Sequence, residues 1–359
     1  MRLACIVGAR PNFVKMAALV REIGRRPGVE YRLIHTGQHS SPEMSGSFFE
    51  DLEMSAPDVN LEVDSGSPTW QTAEMMKRLE PVLAETAPDA VVVAGDVTST
   101  LAGALAAAKS GLRLAHVEAG LRSFDRTMPE ETNRVVTDAL AEFLFVTEPS
   151  GERNLLAEGV SRDRIFFVGN VMIDTLLRFR EKAAASNVAK RLGLEGKEYA
   201  VATLHRPSNL DSARALSGIL GALQEIGRRL PVVFPAHPRT AQALAAAGVD
   251  TSGLLVTAPL GYLDFVRVMS RARLALTDSG GIQEETTILQ VPCLTLRDNT
   301  ERPVTIELGT NRLVGTDPAR IVEAAAAALE APAPAGRTPR LWDGRAAERI
   351  LDVLESRLG

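Results

Sequence analysis

Short, wholly apolar runs alternate along the chain with longer segments whose apolar positions recur at helical spacing. Leu3–Val7, Tyr31–His35, Ala90–Ala94, Leu114–Val117, Phe143–Val146 and Ile165–Val168 predict the strands of a first half. Tyr199–Leu204, Val232–Pro235, Leu254–Ala258, Leu274–Thr277, Val291–Leu296 and Arg312–Val314 predict those of a second. Between them, helical spacing marks Phe13–Ile23, Thr69–Thr86, Thr98–Lys109, Pro129–Ala141, Ala213–Arg228, Leu263–Ala272, Ile282–Gln290 and Pro318–Leu329, and Phe48–Leu52 is a further short candidate. Strands without polar alternation are buried on both faces, and strand–helix alternation builds βαβ units around a parallel sheet. The fold class is α/β: two Rossmann-like, doubly wound parallel-sheet domains facing a cleft.

The expected boundaries follow from where this pattern pauses. An N-terminal domain covers 1–170, and a charged, mostly helical connection covers 171–194. A C-terminal domain covers 195–340 and ends in a Pro-rich loop. A C-terminal helix within 341–359, over Arg345–Leu358, can pack back on the first domain. A chain of 359 residues suits two such domains.

Composition narrows the partners. A net charge of −5 argues against non-specific binding to nucleic acid or anionic membrane. An anionic ligand therefore needs a local cluster of cations. The only cysteines, Cys5 and Cys293, lie in apolar runs and read as buried small hydrophobes, with no disulfide framework. The N-terminus enters a strand directly, and no apolar run approaches membrane-spanning length, so a cytoplasmic protein is expected.

The stretch Leu274–Leu296 carries the strongest chemical signal. A strand is followed by Asp278-Ser279-Gly280-Gly281, a helix and another strand. Two glycines allow close backbone approach, and the free N–H groups of a helix N-terminus favour a phosphate. Glu284 and Glu285 lie one turn further in, where a carboxylate can reach a ribose hydroxyl. The competing reading is a plain helix cap by Ser279 with turn glycines. The stretch is neither G-x-G-x-x-G nor a P-loop.

Other polar residues cluster at the carboxyl ends of strands, where open α/β sheets bind ligands. Arg10 adjoins Gly8 and, with Lys15, is a candidate for an anionic substrate or simply surface charge. Asp96, Glu118 and Glu131 are candidate acid–base carboxylates, although Asp96 could cap the helix at Thr98 and Glu131 could merely favour a helix start. Glu118 ends an apolar strand, and a carboxylate there needs a partner. His205 and His237 each end a strand near an Arg and suggest an anion-facing rim. His39 and His116 read as structural. The loop Asn299–Pro303 and Arg312 can clamp a phosphate or brace the loop. No His sits in a metal pattern, and no bound metal is expected.

Gly8-Ala9-Arg10-Pro11 with Lys15, Gly95-Asp96, His116–Arg122, Pro129–Arg134, His205-Arg206, Thr277–Glu285 and Thr300–Pro303 occur here in one order. Together, from Arg2 to about Glu330, they resemble the non-hydrolysing UDP-N-acetylglucosamine 2-epimerases. The resemblance implies two Rossmann-like domains in the glycosyltransferase-B arrangement, a homodimer, a UDP-sugar partner and no cofactor. It implies reversible conversion of UDP-N-acetylglucosamine to UDP-N-acetylmannosamine through loss of the C2 proton and of UDP, by way of 2-acetamidoglucal. By match of motifs it assigns Asp96, Glu118, Glu131 and His205 to catalysis. It assigns Arg10, Lys15, Ser279, Gly280, Gly281, Glu285 and Arg312 to substrate binding, with Glu285 on the ribose. Which carboxylate serves which face stays open. The competing readings are a hydrolysing epimerase, an epimerase of a modified UDP-sugar, a sugar transferase of the same architecture and a nucleotide-sugar sensor without turnover. After Gln38-His39, the segment Ser40–Met44 departs from the Arg-containing version of regulated members, which argues against activation by a second substrate molecule.

Overall fold

A computed structural model describes residues 1–38, 48–63, 66–248, 251–331 and 336–359. They form two compact units, one of Met1–Arg178 with Arg340–Gly359 and one of Phe179–Pro339. The first holds a seven-stranded sheet of β1 (Arg2–Val7), β2 (Glu30–His35), β3 (Val59–Asn60), β4 (Ala90–Ala94), β5 (Leu114–Ala119), β6 (Phe143–Val146) and β7 (Ile165–Phe167). Its order is β3-β2-β1-β4-β5-β6-β7, with every pair parallel. The second unit holds six parallel strands: β8 (Ala200–Thr203), β9 (Val232–Pro235), β10 (Leu254–Thr257), β11 (Leu274–Thr277), β12 (Cys293–Thr295) and β13 (Asn311–Leu313). Their order is β10-β9-β8-β11-β12-β13. Each sheet is doubly wound, as its uniformly apolar strands require.

Chain direction across each sheet reverses at one place, between β1 and β4 in the first unit and between β8 and β11 in the second. Ligands of open α/β sheets bind outside the strand ends at such switch points. The first switch point gathers Gly8–Arg10 and Gly95-Asp96. The second gathers His205-Arg206 and Asp278–Gly280.

Within the first unit, small residues let a helix pack closely on the sheet. The helix Thr98–Lys109 buries Ala102, Gly103, Ala104, Ala106 and Ala107. A Cβ on Gly103 would stand 2.8 Å from Ile6 Cδ1 and 3.0 Å from Val93 Cγ1, so the helix lies nearly on the sheet. Two features escape the hydrophobic pattern. Strand β5 runs two residues beyond its expected end, with a register shift against β6 between Val117 and Ala119. The helices Pro149–Ala157 and Pro238–Ala247 have few apolar residues in their first turns. Among the described residues no helix is long and apolar enough to cross a membrane.

The helix Ala346–Leu358 belongs to the first unit. Trp342, 1% exposed, donates from Nε1 to the Thr147 carbonyl at 2.9 Å, and Arg26 bonds Asp352 and Glu355 at 2.8 and 2.7 Å. Asp174, on the helix Val171–Ala184, accepts the Ala347 N–H at 2.8 Å and so caps that last helix. Burial pushes the Asp174 carboxyl up to about 6, against the pull of the Ala347 and Ala346 N–H groups. A carboxyl raised in the folded state stabilises below its unfolded value, and that contribution is lost as pH rises through the folded one. Ionised Asp174 is therefore a net cost at neutral pH, about 1.4 kcal/mol per pKa unit. Asp174→Asn keeps an acceptor for Ala347 without the charge. It should stabilise the protein by about 1–2 kcal/mol at pH 8. The gain should shrink as pH falls from 6 towards 4, read from denaturant midpoints across that range.

Candidate functional site

In the first unit, three carboxylates meet two buried cations. Lys15 and Glu118, each 3% exposed, form an ion pair. Glu118 occupies the irregular end of β5 with a left-handed backbone, φ +73°, which a non-glycine residue adopts only under constraint. Gly95, φ +69°, gives the amine room, since a Cβ there would stand 2.6 Å from Lys15 Nζ. Lys15 is thus no surface charge; it neutralises the carboxylate that needs a partner. Desolvating two ions is costly, and such a pair argues for a role beyond stability.

Arg134, 1% exposed, joins the other two acids: its Nη1 bonds Asp96 Oδ2 at 2.7 Å and its Nη2 bonds Glu131 Oε2 at 2.8 Å. Asn133 Nδ2 holds the Asp96 carbonyl at 2.8 Å. Val97, not Asp96, is the N-cap of the helix at Thr98, and it makes no side-chain cap bond, so the capping alternative for Asp96 falls away. Glu131 accepts the Ser123 N–H and hydroxyl at 2.9 and 2.8 Å and the Phe124 N–H at 3.0 Å. Burial alone would raise Glu131, but Ser123 and Arg134 hold it below the usual carboxylate range.

Behind these acids lies a chain of polar contacts that is buried from His116 to Arg122. His116 points Nδ1 at Asp138 Oδ1, 2.6 Å, and Nε2 at the Gly95 carbonyl, 2.8 Å. Asp138 also takes the Gly120 N–H at 3.0 Å and Arg122 at 2.7 Å, and Arg122 grips Glu158 with two bonds of 2.7 Å. One carboxylate thereby ties the turn after β4, which carries Asp96, to the end of β5, which carries Glu118. Arg10 begins the helix Arg10–Ile23, with its guanidinium 4.2 Å over the Phe48 ring, and burial lowers it to about 10. His39 and the segment Ser40–Met44 lie outside the described residues.

In the second unit, Asp278 organises the switch point. Fully buried, it accepts the N–H groups of His205 and Arg206 at 3.1 and 3.0 Å, Asn209 Nδ2 at 3.0 Å, and His205 Nδ1 at 2.7 Å. Burial would raise Asp278; His205 and the backbone donors hold it low. The His205 ring is oriented by Asp278, and its side chain is 48% exposed, so its other nitrogen is turned towards a ligand or solvent.

Ser279 is the N-cap of the helix Gly280–Leu289, but its hydroxyl makes no cap bond; its own N–H goes to Thr277 Oγ1 at 2.9 Å. The plain-cap reading therefore does not account for the serine. Gly280 packs against Arg302 and Glu301, and a Cβ there would stand 2.6 Å from Arg302 Cζ and 2.7 Å from Glu301 Oε1. Arg302 pairs with Glu284 at 2.9 Å and with Glu301, which also binds Arg297 at 2.7 Å and Arg206 at 3.5 Å. Three buried guanidiniums and two carboxylates meet in this network. The Asn299–Pro303 loop thus braces the turn from within.

Glu285, 5% exposed, takes the Tyr262 hydroxyl at 3.2 Å. His237 caps the helix Pro238–Ala247 through its own side chain, accepting the Arg239 N–H at Nδ1. Arg312 stands exposed on the edge strand β13 beside Arg320 and Glu323.

Sequence reasoning gave no role to Asp278, Arg134, Asp138 or Tyr262. Arg134 alone had a local signal, three residues after Glu131 on one helix face. Among the described residues no group of His, Cys, Asp and Glu could hold a metal ion.

A family model described as UDP-N-acetylglucosamine 2-epimerase matches residues 21–355. A UDP-N-acetylglucosamine 2-epimerase of Methanococcus maripaludis is 42% identical over 332 residues, covering 89% of this chain and 90% of that protein. A UDP-2,3-diacetamido-2,3-dideoxy-D-glucuronate 2-epimerase of Pseudomonas aeruginosa is 40% identical over 333 residues, covering 92% of each. The crystal structure of Methanocaldococcus jannaschii UDP-GlcNAc 2-epimerase in complex with UDP-GlcNAc and UDP matches with a TM-score of 0.94 at 40% identity, over 99% of this chain and 100% of that one.

Proposed function

Because the chain belongs to the UDP-N-acetylglucosamine 2-epimerase family, we propose that it interconverts UDP-N-acetylglucosamine and UDP-N-acetylmannosamine without hydrolysis. The observation that carries this reading is the buried Lys15–Glu118 pair beside Asp96 and Arg134. It sets acids, each held by a buried cation, at or just beyond the ends of neighbouring strands.

The proposed steps balance without a cofactor. A carboxylate of the first unit takes the C2 proton, the C1–O bond to UDP breaks, and a C1–C2 double bond forms. A second acid returns a proton to the opposite face of C2, and UDP re-adds at C1. Glu118, Asp96 and Glu131 are the proton-transfer candidates, and Lys15 and Arg134 set their charge. Charge grows on the leaving diphosphate, where fixed dipoles and cations act most strongly. The Ser279–Gly281 helix start, with the Arg302 guanidinium packed at Gly280, and His205, oriented by Asp278, supply these. Glu285 is assigned to the ribose, and Arg10 and Arg312 to substrate anions.

Incubation with UDP-N-acetylglucosamine in heavy water tests the reading. The expected products are both UDP-sugars with deuterium at C2. Free N-acetylmannosamine and UDP in equal amounts would replace it with a hydrolysing epimerase. Neither exchange nor epimer would end it. The Pseudomonas aeruginosa relative supports a second reading, a diacetamido uronate sugar. A higher kcat/KM for that UDP-sugar than for UDP-N-acetylglucosamine would select it.

A further inference from the structure

Glu285 is an unusual carboxylate to leave inside a protein. It lies on the helix Gly280–Leu289, 5% exposed, next to Glu284, whose charge Arg302 takes up. Among the described residues the phenol of Tyr262 is the one donor it has, hydroxyl to Oε1 at 3.2 Å. Tyr262 is itself 5% exposed, in the first turn of the helix Tyr262–Ser270. An apolar ring would fill that space equally well, and a tyrosine buried there spends its hydroxyl on one carboxyl oxygen.

We propose that Tyr262 is a positioning residue for nucleotide specificity: its phenol fixes the Glu285 carboxyl so that a ribose hydroxyl, and not a deoxyribose carbon, completes the site. This rests on the assignment of Glu285 to the ribose. A carboxyl gripped at Oε1 cannot turn to suit another donor, so its remaining acceptor sites keep one direction. A site built to bond a hydroxyl rejects the analogue that lacks it, because its buried polar group is left unpaired. Burial pushes Glu285 up to about 8, with Glu284 adding to the shift and the Tyr262 bond opposing it. A group so reluctant to ionise gains from every donor that meets it. Tyr262 needs no contact with the nucleotide for this role.

Calorimetric titration of the full chain with UDP, 2′-deoxy-UDP and 3′-deoxy-UDP tests the proposal. The wild type should prefer UDP to at least one deoxy analogue by about tenfold or more. Tyr262→Phe should weaken UDP by about tenfold, leave that analogue unchanged, and bring the ratio towards one. In a Glu285→Gln background, Tyr262→Phe should have no further effect, and this cycle also serves should the single variant fold poorly. A Tyr262→Phe protein that keeps the wild-type ratio overturns the proposal, as does an undiminished effect in the Glu285→Gln background. A wild type without preference, together with a Glu285→Gln variant that binds UDP normally, would instead remove Glu285 from the ribose.

Discussion

Glu118→Gln should lower kcat by about a thousandfold, within the usual range for removing an acid–base group, while UDP affinity changes less than about threefold. The asymmetry follows from where Glu118 sits. It lies in the first unit, paired with Lys15 at the irregular end of β5, whereas the residues assigned to UDP are chiefly in the second. Glutamine keeps the shape and an acceptor for the amine but cannot take a proton. It leaves the Lys15 ammonium with a neutral partner in a buried place, so stability should fall as well, and rates need to be compared well below the melting temperature. Deuterium incorporation at C2 is the decisive readout, because a merely loosened protein would still exchange. Exchange at the wild-type rate would take Glu118 out of the reaction.

Gly280→Ala should be strongly damaging for a single added carbon. The added methyl meets Arg302 and Glu301, both buried and both held in the network that includes Glu284 and Arg297. Neither can swing into water without leaving a buried partner uncompensated. A loss of about 3 kcal/mol is expected. The N–H groups of the helix start should move with it, and UDP affinity should fall by at least about tenfold. Gly221→Ala is the control, since a Cβ there meets nothing within 4 Å and alanine favours a helix interior. Thermal melts and UDP titrations of the two variants check the contrast. Equal stability in both would mean that the turn accepts a side chain.

Both variants turn on contacts that differ greatly in how far they can be read from the chain. The strands Ala90–Ala94, Phe143–Val146, Val232–Pro235 and Leu274–Thr277 stand where their apolar runs begin and end, because a strand buried on both faces leaves no other pattern. The end of β5 did not follow this rule: His116 and Glu118 are polar yet buried within the strand, each satisfied by a residue far off in sequence. The short helix Pro149–Ala157 opens on Pro-Ser-Gly-Glu-Arg, with no apolar stripe to announce it. For the site, strand-end position and Gly-rich turns singled out Gly95-Asp96, Glu118, His205 and the Ser279–Gly281 turn. Their partners were hidden. Lys15 and Glu118, Arg134 and Asp96, Asp278 and His205, and Tyr262 and Glu285 are pairs made by topology, and no local periodicity links them.

The first unit is built from two separated lengths of chain, Met1–Arg178 and Arg340–Gly359, whereas the second is the unbroken stretch Phe179–Pro339. During synthesis the ribosome therefore delivers the second unit whole while the first is still short of Trp342 and of the helix that Asp174 caps. The part of the molecule that emerges earliest must wait for the latest, with the floor under Thr147 open until Trp342 arrives. A nascent chain halted before Arg340 would hold a finished second unit joined to an unfinished first one.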